Sequence, residues 1–165
     1  MAARLGARGV EIDARNQLHP HELSQTGVRQ IRKMLEDLNL RVCAVGFRTR
    51  RGYNVLEDIE QRVKATKQAM DMAYALGAPV VVNQLGHIPS EPQDSRWNLL
   101  LEVLDDLGRY GQHAGALLAA ETGTESGEDL ARLIAAVDSG GIGVNFDLRT
   151  IDHLDRVDQA PPLAL

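Results

Sequence analysis

Cysteine is nearly absent from this 165-residue chain, and the single thiol, Cys43, excludes an intramolecular disulfide framework and fits a reducing compartment. Aromatic residues make up only 4 %, so the core must be aliphatic, built from Leu, Val, Ile and Ala. Long hydrophobic runs are missing, and none approaches the length that spans a bilayer. The first residues, Met-Ala-Ala-Arg-Leu-Gly, contain no uninterrupted apolar stretch of the kind a secretory signal needs. Cations are in deficit: 18 Lys and Arg against 23 Asp and Glu leave a net charge of −5. That balance argues against broad nucleic-acid binding, which requires many phosphate-neutralising side chains. A small anion held by a few local cations is compatible with it. Hydrophobic residues at 44 % and charged residues at 25 % are ordinary for a globular chain, so disorder is excluded as well. The expected setting is cytoplasmic, with no membrane and no nucleic-acid partner.

What is present is a repeat. Five short apolar, partly β-branched runs begin at residues 10, 42, 80, 117 and 143: Val10 to Asp13, Val42 to Phe47, Val80 to Asn83, Leu117 to Glu121 and Gly143 to Asp147. Continuous rather than alternating apolar runs mark strands buried on both faces, as in parallel sheets. Between them lie segments of helical periodicity. Thr26 precedes Val28, Ile31, Leu35 and Leu38 on one face; Ser95 precedes Trp97, Leu100, Leu101, Leu104 and Leu107. Ser126 with Asp129 resembles a capping box ahead of Leu130, Leu133, Ile134 and Val137. Leu56 to Leu76 predicts one long helix, and Gly77, Gly115 and Gly140-Gly141 stand where helices should stop. Ala2 to Gly6 reads as the tail of a helix feeding the first strand. Strand, loop, helix and glycine in rotation is a run of βα units. Each unit averages about 33 residues, so eight would need about 260, the size of a (β/α)₈ barrel. Five units make either a small open sheet or an incomplete barrel, and periodicity does not separate the two.

In parallel α/β folds the chemistry collects at the carboxyl ends of the strands. Those positions are Glu11 and Asp13, Phe47 to Arg51, Asn83 to His87, Glu121 to Glu125, and Asn145 to Asp147. Glu121 follows Leu117-Leu118-Ala119-Ala120 and Asp147 follows Val144-Asn145-Phe146, so both carboxylates emerge from apolar strands. Two such acids on neighbouring strand ends suit a hard divalent cation; the plainer alternative is that each caps the following helix or accepts loop amides. Arg48, with Thr49, Arg50 and Arg51, is the one dense basic patch, able to hold a phosphate or simply to be solvated. Glu11, Asn83 and His87 are further candidates for lining a site. His19-Pro20-His21 lacks a third ligand nearby, His113 stands at a helix end, and Gly123 to Gly127 lacks the lysine of a phosphate-cradling loop. Cys43, inside a strand, is expected to be a packed thiol.

The five strand motifs, Leu-Gly-Ala-Arg-Gly-Val-Glu-Ile-Asp, Leu-Asn-Leu-Arg-Val-Cys-Ala-Val, Ala-Leu-Gly-Ala-Pro-Val-Val-Val, Leu-Leu-Ala-Ala-Glu-Thr and Gly-Val-Asn-Phe-Asp, together resemble the xylose isomerase-like TIM barrels, the sugar phosphate isomerase/epimerase group. The resemblance runs from residue 2 to about 147. It implies strands two to six of a (β/α)₈ barrel in residues 1–147, followed by an atypical tail in 148–165. It also implies one divalent cation (Mn²⁺, Mg²⁺ or Zn²⁺) held by Glu, Asp, His and Glu from strands five to eight. The first two ligands match Glu121 and Asp147, and Glu121 would double as an acid/base carboxylate exchanging a proton beside a carbonyl. The implied substrate is a small sugar or sugar phosphate. The text after Asp147 does not continue the pattern, so the chain reads as a truncated or frame-altered member lacking the first, seventh and eighth strands, with open edges prone to self-association. Two alternatives accompany this reading. One is an apurinic-site endonuclease-like hydrolase, which would want a histidine where Thr150 stands; the other is a non-catalytic barrel remnant.

Overall fold

The computed structural model describes residues 2–121 and 126–146. Its elements run β1 (Gly9–Asp13), α1 (Gln25–Glu36), β2 (Arg41–Gly46), α2 (Ile59–Leu76), β3 (Val80–Gln84), α3 (Ser95–Ala114), β4 (Leu117–Glu121), α4 (Gly127–Ala135) and β5 (Ile142–Asn145), with short 3₁₀ turns at Ala2–Leu5 and Pro20–Glu22. The strands form one sheet in sequence order, every neighbouring pair parallel. This is the open arc of an incomplete TIM barrel, with all helices on one side as right-handed βα crossovers require. Among the described residues, no helix is long and apolar enough to cross a membrane.

The main core lies between sheet and helices. Val42, Val45, Val81, Leu118 and Ile142 from the strands meet Met70, Ala73 and Leu76 of α2 and Leu100, Leu104 and Leu107 of α3, all buried. Aliphatic residues dominate it, and Trp97, Phe47 and Tyr53 are the few buried rings. On the other, concave face Ala44, Val82 and Ala119 make a thin apolar layer of small residues. Because side chains alternate across a strand, the residues two positions further along that face, Gly46, Gln84 and Glu121, continue the layer toward the carboxyl ends.

Three of the four helix starts differ from the expected ones, by one to three residues. Ser24, not Thr26, caps α1, its Oγ accepting the Gly27 N–H at 3.1 Å. Asp94, not Ser95, caps α3 by accepting the Arg96 N–H at 2.8 Å. The long helix begins at Ile59 rather than Leu56 because Asp58 adopts φ 55°, a left-handed conformation that no helix can pass through. Ser126 does cap α4, accepting from the Asp129 N–H at 3.0 Å. Gly77 and Gly115 close α2 and α3 at φ 79° and 85°, a region that suits glycine. The α4 helix stops earlier, at Ala135, and Gly140 (φ 62°) turns the chain into β5 instead.

Cys43 corrects an expectation: its thiol is exposed, not packed. The register between β1 and β2 slips here, Val10 pairing with Val42 while Glu11 pairs with Ala44. Cys43 is the extra residue of this bulge, pushed out of the pleat, with its Sγ 3.2 Å from the Val10 carbonyl.

Candidate functional site

Glu121 is the last residue of β4, only 5 % exposed although it is an acid. A carboxylate in that position is costly unless it is paired. Arg48, two residues beyond β2, supplies the pair: its Nε donates to Oε2 at 3.0 Å and its Nη2 to Oε1 at 2.6 Å. This two-pronged geometry is the strong form of a charge-assisted contact. The asymmetry matters for chemistry: the arginine side chain is 58 % exposed while the glutamate is buried. The guanidinium is thus the solvent-facing member of the pair, and the carboxylate beneath it is the buried one.

Around this pair the concave face is polar. In register beside Glu121 stand Gln84 of β3 and Asn145 of β5. Glu11 of β1 reaches over Gly46, where its Oε1 lies 2.6 Å from the point a Cβ would occupy. Glycine at 46 therefore makes the room in which the Glu11 carboxylate sits. Asp13 belongs to the loop instead: Oδ1 accepts the N–H groups of Arg15 (2.8 Å) and Asn16 (3.0 Å), and Oδ2 accepts from Asn16 Nδ2 (2.8 Å). The Asn16 side chain above all, with those two backbone donors and the nearby charge of Arg48, holds the Asp13 carboxyl below its usual range against the opposing effect of burial.

Asn83 sits one residue before Gln84 and therefore on the opposite face, fully buried. Its Oδ1 accepts the Thr49 N–H at 3.1 Å and its Nδ2 donates to the Tyr53 hydroxyl at 2.7 Å. With that acceptor position filled, Tyr53 donates onward to Thr66 Oγ1 (2.7 Å), and Thr66 donates to the Arg62 carbonyl (2.9 Å). The chain of donors is closed, and it pins the loop after β2 (the loop that carries Arg48) to α2. Burial pushes the Tyr53 phenol up to about 12, the contacts to Thr66 and Asn83 opposing the shift. His87 is exposed in the loop between β3 and α3. His19 and His21 stack on one another at 5.6 Å, and His113 lies exposed in the last turn of α3. Asp147, Thr150 and the segment from 148 to 165 lie outside the described residues.

The model of the xylose isomerase-like TIM barrel family matches residues 1–155 of this sequence. The chain belongs to that family. A search of curated proteins finds no match. Among solved structures, the xylose isomerase domain protein from Planctomyces limnophilus superimposes with a TM-score of 0.82 at 23 % identity, covering 91 % of this chain and 58 % of that one. D-psicose 3-epimerase, solved in the presence of D-fructose, gives a TM-score of 0.76 at 16 % identity over 98 % of this chain and 62 % of that one. A xylose isomerase-like TIM barrel protein from Mycobacterium smegmatis, in complex with magnesium, gives 0.69 at 21 % identity over 90 % and 54 %. This chain therefore spans a little over half the length of the xylose isomerase-like barrels it matches.

The magnesium in the Mycobacterium smegmatis structure raises the question of whether this barrel's residues fit a cation. Among the described residues, no three His, Cys, Asp or Glu side chains come together in a cluster that could hold a metal. Both oxygens of Glu121 accept from Arg48. The described donor set does not fit a bound cation, and the second expected ligand, Asp147, lies outside it. Two features of this xylose isomerase-like site carried no signal in sequence. Arg48 and Glu121 are 73 positions apart, and only the closing of the sheet brings them together. Tyr53 and Thr66 flank the start of α2 and resemble ordinary loop and helix residues until Asn83 is seen between them and the strand.

Proposed function

We propose that this chain carries part of the active face of a sugar isomerase or epimerase, and that Glu121 moves the proton at a carbon beside a sugar carbonyl. The observation that carries this reading is the buried carboxylate at a strand end, on the concave face, paired among the described residues with the exposed Arg48 guanidinium. A polyhydroxylated ligand lying on that face would meet Glu11, Gln84, Asn145 and the Arg48 guanidinium as hydrogen-bonding groups. Arg48 then turns from the carboxylate to the carbonyl oxygen. Glu121 takes the proton from the adjacent carbon, the C–H electron pair moves into the new C=C bond, and the carbonyl oxygen gains negative charge that the guanidinium offsets. Return of a proton to the same carbon from its other face re-forms the carbonyl and gives the epimer; return to the former carbonyl carbon, with the neighbouring hydroxyl proton passing to the first oxygen, gives the isomer. Asn83 positions the Arg48 loop through Thr49 rather than touching the ligand, and His87 can reach it only from the loop after β3. The divalent cation implied by the resemblance, with Glu121 and Asp147 as ligands, enters no step, because the described donors do not make its site.

Incubation of the full chain with a ketohexose in D₂O tests this by proton NMR. Loss of signal at a carbon adjacent to the carbonyl is expected, slowed on the order of 10³-fold by Glu121→Gln. No exchange by the unmodified chain, or exchange indifferent to Glu121→Gln, overturns the reading.

A further inference from the structure

Beside the Arg48–Glu121 pair, on the same carboxyl-end side of the sheet, a cavity of about 290 Å³ opens among the loop after β1, the loop after β2 and the first turns of α2. Arg15, Arg50, Arg51 and Arg62 line it, with Thr49 at its edge and Asp58 as the one acid on its wall. Four guanidinium groups around one space stand out in a chain whose net charge is −5. Their partners divide them. Arg51 is paired with Glu57, and Arg62 donates to the carbonyls of Val55 and Glu57, leaving its buried Nε without a hydrogen-bond partner. Arg15 and Arg50 make no ion pair among the described residues, so two cations face the cavity uncompensated.

We infer that this cavity seats the phosphate group of a phosphorylated sugar whose carbon chain extends past Thr49 to Glu121. A planar carboxylate is satisfied by one arginine fork, whereas a tetrahedral phosphate offers acceptor oxygens in several directions and suits arginines arriving from three separate segments. The volume sits at the small end of ligand pockets, right for a phosphate and the first carbons attached to it. Phe47 and Ala65 complete the wall with apolar surface that such carbons can cover. The two sites are contiguous through one short stretch, since Arg48 holds Glu121 and its neighbour Thr49 is fixed by Asn83. The placement of the carbon chain rests on the proposed role of Glu121; the phosphate seat itself does not.

Calorimetric titration of the full chain with three probes, inorganic phosphate, fructose 6-phosphate and fructose, tests the inference. The phosphorylated sugar is expected to bind at least about tenfold more tightly than either other probe, weakening with added salt. Arg15→Ala and Arg50→Ala are each expected to weaken it about tenfold, and Arg50→Lys less, because a point charge replaces the fork. Circular dichroism on each variant confirms that it remains folded. Glu121→Gln is expected to keep phosphate binding within about twofold while slowing proton exchange on the order of 10³-fold, which separates failure of this site from failure of the proposed chemistry. Binding of phosphate and fructose 6-phosphate with equal affinity makes the ligand free phosphate and overturns the sugar phosphate assignment. Absence of phosphate binding, or binding unchanged when both Arg15 and Arg50 are alanine, overturns the site itself.

Discussion

Asn83 and Glu121 occupy almost the same place in the fold and do opposite things. Both lie at the carboxyl end of a buried parallel strand, Asn83 one residue before the end of β3 and Glu121 last in β4. Both are polar and nearly inaccessible to solvent. Asn83 pairs with Ala120, Gln84 with Glu121, so the two differ by one step of the pleat. That step sends Asn83 to the helix side, where every hydrogen-bonding group meets a protein partner, and Glu121 to the concave side, where its partner is an exposed arginine. A polar residue at a strand end is therefore structural or available for chemistry according to the face it takes, not according to its burial.

Five substitutions and one titration break or sharpen this contrast. The largest effect is expected in chemistry: Glu121→Gln should slow proton exchange on the order of 10³-fold, about 4 kcal/mol of barrier, while urea unfolding moves little because the glutamine amide oxygen can still accept from Arg48. Asn83→Ala should do the reverse. It leaves the half-buried Thr49 N–H without its acceptor, the buried Tyr53 hydroxyl with Thr66 alone, and a void in the core, and roughly 3 kcal/mol should be lost from the urea-unfolding free energy.

A slightly smaller effect is expected from pH. The folded Tyr53 phenol keeps its proton up to about 12, whereas the unfolded one releases it near 10.0. Between those values the unfolded chain binds fewer protons, so stability present below pH 10 falls by roughly 2 to 3 kcal/mol as pH rises to 12. In Tyr53→Phe that contribution to the slope should vanish, which chemical denaturation at both pH values would reveal. Gly46→Ala places a Cβ 2.6 Å from Glu11 Oε1. The carboxylate can swing aside at about 1 kcal/mol, and weaker sugar binding in titration is the more telling readout. Smallest of all, Cys43→Ser at the exposed bulge should shift stability by less than about 0.5 kcal/mol, while Cys43 itself should react readily with a thiol reagent in the folded state.

Much of the fold could be read residue by residue. The apolar, partly β-branched runs at 42 and 80 and the apolar run at 117 become β2, β3 and β4 within a residue or so, because a strand buried on both faces has no alternation to blur it. Helix ends marked by Gly77 and Gly115 held for a backbone reason, the left-handed turn that glycine alone adopts without strain. Helix beginnings were less legible. Capping is decided by which of several Ser, Thr and Asp residues first reaches a free N–H, and Ser24 and Asp94 stood ahead of the candidates chosen from periodicity. The start of α2 was hidden altogether, since the left-handed turn at Asp58 leaves no mark in composition. Cys43 was misjudged because a bulge reverses the inside and outside of a strand at a single residue.

For the candidate site, residue types were legible and partners were not. That Glu121 would end an apolar strand, that Arg48 to Arg51 would crowd one loop, and that Asn83 would stand near the carboxyl end of β3 all follow from order along the chain, although β3 runs one residue further, to Gln84. Periodicity is a property of near neighbours, and it determined the βα repeat, the aliphatic core and the collection of polar groups at one end of the sheet. Only the tertiary structure decided that Arg48 covers Glu121 across 73 residues, that Asn83 turns inward to fasten the Arg48 loop, and that arginines from three segments enclose one cavity. Those outcomes depend on pleat parity and on how the loops fold over the closing sheet, distances that no local pattern encodes.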